Sequence, residues 1–166
     1  MNTFRAIVLI ASTISTGLLA GVYYSYAVSV MPALNQVDDR AAVDVMQRIN
    51  VVIVNPVFML SFLGAPVVTA VIAGMLFGKD MPSVLAWVGA AAVLNIVGTL
   101  VSFAFNIPLN NQLDAAGKAV SIADPANVWS EFITSWVRWN IVRGLAHTTA
   151  FGCLIWALVQ YGRVRT

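Results

Sequence analysis

The chain has 166 residues, of which 60% are hydrophobic and only 10% are charged, and its net charge at pH 7 is +2. Ordinary soluble domains carry about a quarter charged residues, so this composition excludes that class and predicts an integral membrane protein in a lipid bilayer. The Lys and Arg residues are scattered and form no basic run, which excludes nucleic acid as a partner.

The sequence contains four apolar runs, each long enough to cross a membrane as a helix, which takes about 20 residues. We expect these spans at about 4–31, 55–77, 83–105 and 137–161, within a single domain that covers 1–166. The fold class that follows is all-α, a four-helix transmembrane bundle. Assembly of several identical chains as a homo-oligomer is left open by the sequence.

The first run begins like a signal peptide, with Arg5 placed before a long apolar stretch. Its apolar character continues well past any small-residue cleavage site. We therefore expect an uncleaved helix that ends at Pro32.

The connection between the first and second spans has the pattern of an additional amphipathic helix. Asp38 and Asp39 are suitable N-caps, and apolar residues recur at helical spacing after them. The helix either lies on the membrane surface or continues into the second span, where Pro56 predicts a kink near Asn55. In a continuous helix Arg48 and Asn55 share one face. The alternative is a solvated Arg48 beside a proline kink.

The third and fourth spans each carry a stripe of residues at i, i+4, i+7 and i+11, so each stripe occupies one helix face. The stripes are Asn95, Thr99, Ser102 and Asn106 on the third span, and Trp136, Asn140, Arg143 and His147 on the fourth. If the two helices are antiparallel neighbours, Asn95 lies near the depth of His147. Asn106 then lies near Trp136 and Asn140.

Ionisable side chains at membrane depth are costly and usually face the bundle interior, so the stripes predict a polar pocket between the third and fourth helices. In the alternative interpretation Arg143 snorkels to the interface, His147 is a hydrogen-bonded core residue and the stripes only join the helices. One His and the lone Cys153 give no metal-ligand spacing, so no metal is predicted. A haem would need His147 with Met31 or Met59 as second axial ligand.

The longest connection, 106–136, holds most of the polar residues of the chain. A connection of this length is typical of a lid or a binding loop, which is our expectation here. Trp129, Trp136 and Trp139 lie at its end. An aromatic belt at the membrane interface is the default interpretation for them, and stacking on a substrate is the alternative.

An even number of spans places both termini on one side of the membrane. The basic tail with Arg163 and Arg165 favours the cytoplasmic side of a bacterial inner (plasma) membrane. This orientation depends on setting Arg48 and Arg143 aside as buried, because the charges on the two sides are otherwise balanced. The stripes and the long connection then face the outer side.

The groups predicted to line the pocket are a base, a cation, several amides and large aromatic side chains. This set suits the removal of a proton from a weakly acidic carbon and the stabilisation of the enolate that results. An electron-rich enolate can react directly with oxygen. We therefore expect no cofactor, and a lipophilic small molecule as the partner.

Four segments carry a resemblance to a known family: YSYAVSVMPAL at 24–34, QRINVVIVNPVF at 47–58, NIPLNNQL at 106–113 and WVRWNIVRGLAHTTA at 136–150. Together they resemble the anthrone oxygenase family of small four-helix membrane proteins, also labelled DUF1772. The resemblance implies oxidation of a lipophilic aromatic molecule by oxygen, since characterised relatives convert polyketide anthrones to anthraquinones without a well-defined metal or flavin.

The polar positions shared by that family fall on nine residues of this chain. They are Gln47, Asn50, Asn55, Asn106, Asn110, Trp136, Trp139, Asn140 and Arg143. Our hypothesis is that Arg143 stabilises an oxyanion or a peroxide, and that Asn106 and Asn140 hold the carbonyl. Trp136 and Trp139 would stack on the planar substrate. A second set would complete the substrate-binding site, namely Arg48, Asn50, Asn55 and Asn110.

The family often has His directly after the Trp-Asn pair, where this chain has Ile141. An oxygenase would therefore need His147 as its base. The competing hypothesis is a non-catalytic membrane module that binds a small hydrophobic ligand or a partner protein.

Overall fold

The computed structural model describes residues 3–163, and these residues are almost entirely helical. Four long helices are long and apolar enough to cross a membrane: α1 (Thr3–Leu34), α3 (Pro56–Leu76), α4 (Pro82–Ala115) and α5 (Pro125–Arg163). A shorter helix, α2 (Asp39–Val52), lies between α1 and α3. The predicted all-α bundle with an additional amphipathic helix is thereby confirmed, as is an integral membrane protein.

The helix boundaries follow from local capping chemistry. Asp38 caps α2, because its carboxylate accepts hydrogen bonds from the backbone N–H groups of Arg40 and Ala41. Asn55 caps α3 by accepting from the N–H of Phe58 at 3.0 Å. Its amide also donates to the carbonyl of Val52 at 2.9 Å, which satisfies a group that the end of α2 leaves open.

The proline at 56 separates two helices, so the continuous helix, one of the two alternatives that the sequence left open, is wrong. Residues 53–55 lie outside both α2 and α3, and Pro56 is the first residue of α3. Proline is tolerated at that position because its missing N–H would have no partner there. Arg48 and Asn55 therefore do not share a helix face.

The expected long loop at 106–136 is also wrong. Helix α4 continues to Ala115, α5 begins at Pro125, and only 116–124 connect them, with a short 3-10 turn at Ala119–Ser121. Hydropathy detects only the part of a helix inside the membrane. At about 1.5 Å per residue, the 34 and 39 residues of these helices exceed the roughly 30 Å of hydrocarbon by about 20 Å or more.

The protruding ends of α4 and α5 pack with α2 to form a second hydrophobic core outside the membrane, which we call the cap. Its core includes Met31, Val43, Met46, Leu113, Trp129, Phe132 and Trp136. Trp129 and Trp136 are only 2% and 3% exposed, so they are core residues of the cap and not members of an aromatic belt. The polar residues between them form the solvated faces of helices.

Side chains of α2 hold the cap together by binding carbonyl groups of the connection 116–124 and of the end of α4. Gln47 donates to the carbonyls of Leu113 and Gly117, both at 2.9 Å. Arg40 donates to the carbonyls of Ala119 and Ile122. The amphipathic helix thus closes the bundle at the end opposite the 77–81 turn.

Candidate functional site

Helices α4 and α5 are antiparallel neighbours, and their stripes meet as the spacing predicts. His147 Nδ1 lies 2.9 Å from Asn95 Oδ1, and Asn106 donates to the carbonyl of Trp136 at 3.1 Å. The polar residues of the two stripes form two clusters at different depths of the bundle. We call the one around Asn95 and His147 the inner cluster and the one around Arg143 the outer cluster.

The inner cluster joins all four membrane helices. Asn95 donates to the hydroxyls of Thr16 and Thr69 at 2.9 and 3.0 Å, and Ser12 lies 2.6 Å from Thr69. Because the Asn95 amide nitrogen is the donor in these contacts, its oxygen must accept, and this assigns the proton of neutral His147 to Nδ1. His147 is fully buried.

The other ring nitrogen of His147 faces the backbone of α4 at very short range. A Cβ atom placed on Gly98 would lie 2.5 Å from His147 Nε2, so only glycine fits this position. No hydrogen-bond partner of Nε2 occurs among the described residues. The imidazole is therefore enclosed by protein on every side that the structure describes.

The outer cluster surrounds Arg143, which is 9% exposed. Its guanidinium donates to Asn140 Oδ1 through Nε at 3.3 Å and through a terminal nitrogen at 3.0 Å, and to the hydroxyl of Ser102 at 3.2 Å. The same group lies 4.3 Å from the ring centre of Tyr23 and 5.2 Å from that of Trp136. Asn140 is itself fixed by donating to the Tyr23 carbonyl at 2.9 Å.

The charge of Arg143 is held by neutral groups only. Among the residues that the structure describes, no carboxylate forms an ion pair with it. Of the five N–H groups of a guanidinium, three have acceptors among residues 3–163 and two have none there. A buried cation of this kind is available to an anionic or carbonyl oxygen from outside the chain.

The outer cluster opens into a cavity of about 280 Å³ between the membrane bundle and the cap. The cavity is lined by residues of all five helices, including Tyr23, Tyr26, Met46, Asn50, Val54, Phe58, Phe62, Ser102, Phe103, Asn110, Asn111, Asp114, Trp136 and Arg143. Its walls are mainly apolar, and its few polar groups converge from α1, α2, α4 and α5. Such a lining is typical of small-molecule sites.

Both π-helical segments of the structure border this cavity. Tyr26 belongs to the segment Tyr26–Val30 within α1, and Ser102 and Phe103 belong to Ser102–Asn106 within α4. A π-helical turn inserts one residue and rotates the side chains that follow, and such turns are frequent at functional sites. In both α1 and α4, residues of the π-helical turn itself thus line the cavity.

A family model described as anthrone oxygenase matches residues 58–153, which is more than half of the chain. This chain belongs to the anthrone oxygenase family. No curated protein and no solved structure matches it. The matched region covers nearly all of α3 and α4 and the part of α5 that carries Arg143, whereas Tyr23 and α2 lie outside it.

The cavity of this family member brings together four of the residues predicted for the site, namely Arg143, Trp136, Asn50 and Asn110. Asn110 is oriented by accepting from the indole N–H of Trp136 at 2.7 Å. Asn106 and Asn140 do not line the cavity, and they support its walls through the hydrogen bonds described above.

Four predicted site residues lie elsewhere. His147 belongs to the inner cluster, and Trp139 stacks on Phe105 with the ring centres 3.6 Å apart, outside the cavity. Asn55 is the cap of α3. Arg48 is 74% exposed and pairs with Asp44 at 2.8 Å.

Because the side chain of Arg48 is exposed, it cannot be set aside as buried. Its hydrogen bonds to Asp44, and the attraction of that charge, raise the pKa of Arg48 above its ordinary value, so it counts fully as a cation. With Arg48 counted, the Lys and Arg residues on the two sides of the membrane no longer favour a cytoplasmic position of the termini. Arg165, which contributed to that expectation, lies outside the described residues.

Sequence reasoning missed the partners of Arg143 from α1 and the aromatic wall. Tyr23 shares its sequence surroundings with the exposed Tyr24, so nothing local distinguishes the two. Phe62 joins Phe58 and Phe103 into a wall, with ring centres 5.6 and 5.7 Å apart. These helices are apolar both toward lipid and toward the cavity, so the sequence pattern does not distinguish the phenylalanines of the wall from residues that face lipid.

No group of three or more His, Cys, Asp or Glu side chains that could hold a metal occurs within the described residues. The haem alternative meets a geometric obstacle as well. His147 uses Nδ1 for Asn95 and presses Nε2 against Gly98, so neither nitrogen faces a space that could hold the macrocycle.

Proposed function

We propose that this chain is an oxygenase that binds a lipophilic aromatic substrate beside Arg143 and oxidises it with molecular oxygen without a cofactor. The observation that carries the proposal is the buried guanidinium, which faces an apolar cavity and has no carboxylate partner in the described part of the chain. Membership of the anthrone oxygenase family supports the same reaction class.

Arg143 would act on the charge that develops during ionisation of the substrate. When a carbon next to a carbonyl loses a proton, negative charge appears on the oxygen. A fixed cation in a water-poor site stabilises that charge far more than water-exposed groups do. The two uncommitted N–H groups of Arg143 would bind this oxygen.

Two further features of the cavity suit a flat substrate. Trp136 and the wall of Phe58, Phe62 and Phe103 provide aromatic faces on which rings can stack. The amide nitrogen of Asn50 is buried, borders the cavity and has no acceptor among the described residues. We assign it to a second oxygen of the substrate.

The proton of the substrate would leave to water at the cavity mouth. His147 does not border the cavity, so its role as base stays a prediction that this placement does not favour. The positive charge of Arg143 would lower the pKa of the C–H group of the bound substrate. Water would then be able to accept the proton. Asp114 borders the cavity, and α4 places it 12 residues, or about 18 Å, beyond Ser102.

The reaction balances without an added reductant. The enolate carbon is oxidised by O₂, a C–O bond forms to give a hydroperoxide, and loss of water leaves a new carbonyl. In sum, a CH₂ group and O₂ become C=O and H₂O. The substrate supplies all the electrons that reduce oxygen.

Oxygen consumption by the purified protein with anthrone tests this proposal. We expect uptake with formation of anthraquinone, and a loss of about 100-fold or more in Arg143→Gln, as is typical when one oxyanion-stabilising group is removed. Arg138→Gln is the matched control, because Arg138 is on the same helix and does not line the cavity. Equal uptake by the unmodified protein and Arg143→Gln would contradict the assigned role.

The second candidate is a module that binds a hydrophobic ligand without turnover. The observation that favours it is that His147, the one histidine of the sequence, does not line the cavity. It predicts saturable binding of an aromatic phenol, no oxygen uptake with anthrone, and loss of binding in Arg143→Gln.

A further inference from the structure

From helix lengths we infer that the cavity lies at the edge of the hydrocarbon layer. Ser102 lies 20 residues from the opposite end of its helix, at Pro82, and Arg143 lies at the same depth because it donates to the Ser102 hydroxyl at 3.2 Å. Twenty residues of helix rise about 30 Å, which is the thickness of the hydrocarbon. The whole of α3, with 21 residues, crosses the same distance and begins at Pro56.

Exposed residues that line the cavity lie at two depths, and we infer an opening at each. Val54 and Phe103 border it at the hydrocarbon edge, and they are 69% and 51% exposed. Asn111 and Asp114 border it from the cap, 8 and 11 residues beyond Phe103 on α4, or about 12 to 16 Å farther from the membrane centre. One opening therefore meets lipid and the other meets water.

The surface next to Val54 carries a group of exposed valines beside the Arg48–Asp44 ion pair. Val51, Val52 and Val57 are between 71% and 80% exposed and flank the break between α2 and α3. Exposed apolar side chains grouped at one place mark a surface that contacts a partner or a membrane. At this depth the contact is the edge of the bilayer.

We propose that the cavity takes its ligand sideways from the bilayer, past the exposed Val54 and Phe103, and that this ligand is a membrane-dissolved aromatic amphiphile. Its phenol or enol oxygen meets Arg143 at the interface, and its apolar body enters past the aromatic wall. This inference rests on the proposed function only in assigning the ligand oxygen to Arg143. It adds the route and the physical state of the substrate.

The probe for the test is 2-hydroxyanthraquinone, a planar phenol that oxygenation cannot consume by the proposed CH₂ chemistry. At a pH where the phenol is neutral in water and lipid, its phenolate absorption reports the molecules bound beside Arg143. Proteoliposomes of phosphatidylcholine already containing the probe are heated by a temperature jump. The relaxation rate of the phenolate band then measures exchange between the bilayer and the cavity.

We expect Val54→Trp to slow this relaxation by about tenfold, which corresponds to a modest increase in the barrier. Leu60→Trp is the matched control, since Leu60 is 76% exposed on α3 and does not border the cavity. Asn111→Trp obstructs the opening toward water. An unchanged rate in Val54→Trp, or an equal slowing in Asn111→Trp, would overturn lateral entry.

The two proposals fail in different ways. A phenolate band that relaxes as expected, without oxygen uptake from anthrone, removes the oxygenase and leaves the lateral route in place. Uptake from anthrone with no slowing in Val54→Trp leaves the oxygenase and removes the route. Absence of a saturable phenolate band in the unmodified protein contradicts the assigned ligand, and lateral entry of that ligand is then rejected too.

Discussion

The inner and outer polar clusters lie on the same face of α5, four residues apart at Arg143 and His147, yet they differ in what surrounds them. The inner cluster consists of neutral groups that bind one another across four helices. The outer cluster contains a cation whose remaining donors face a cavity. Of the two ionisable residues on this face, only Arg143 therefore adjoins space for a ligand, whereas His147 is bonded within the bundle.

The largest loss of stability is expected from a substitution that fills the space between His147 and α4. Gly98→Ala places a Cβ 2.5 Å from His147 Nε2 and must displace the ring or the helix. We expect a loss of about 1–3 kcal/mol in the free energy of unfolding, as overpacked cores typically show.

The control for this change is Gly89→Ala on the same helix, where a Cβ meets no atom within 4 Å. It should be neutral or slightly stabilising, because alanine favours a helix over glycine. Thermal unfolding in detergent distinguishes the two. Equal melting temperatures for Gly98→Ala and Gly89→Ala would show that the inner cluster has room to adjust.

A smaller effect is expected when the donor of the inner cluster is removed. His147→Leu leaves Asn95 Oδ1 without its partner, and interhelical hydrogen bonds in membranes contribute about 0.6–2 kcal/mol. His147→Asn retains an N–H donor and should recover part of that loss. The free energy of unfolding is the measurement, and a more stable His147→Leu variant would speak against a structural role.

The smallest effect is expected in the outer cluster at Ser102. Its hydroxyl accepts from Arg143 at 3.2 Å, while Asn140 holds the same guanidinium through two further hydrogen bonds. Ser102→Ala should therefore lower oxygen uptake by only about fivefold, in keeping with roughly 1 kcal/mol for one hydrogen bond. A loss as large as that in Arg143→Gln would mean that Ser102 has a role of its own.

The contact between the antiparallel helices α4 and α5 could be predicted from the sequence. Both stripes have the same spacing, and polar side chains inside a membrane bundle form hydrogen bonds with one another. The existence of α2 could be predicted as well, since Asp38 and the amphipathic pattern after it define a capped helix. These features depend on local periodicity, which a single sequence displays directly.

The cap and the cavity could not be predicted in the same way. The polar stretch that starts at Asn106 looks like a loop, because its helices bury only narrow apolar faces around Leu113, Trp129 and Phe132. Tyr23 reaches Arg143 only through the packing of α1 on α5, and the distance of 117 residues along the chain between Tyr23 and Asn140 leaves no local signal. Tertiary packing alone decides which cluster meets the cavity.

The most direct test of the account measures oxygen uptake from anthrone and thermal unfolding together in Arg143→Gln and His147→Leu. The account predicts that Arg143→Gln loses uptake and remains folded, whereas His147→Leu is less stable and retains uptake per folded molecule. The reverse pattern, with uptake lost in a folded His147→Leu protein and kept in Arg143→Gln, would contradict it.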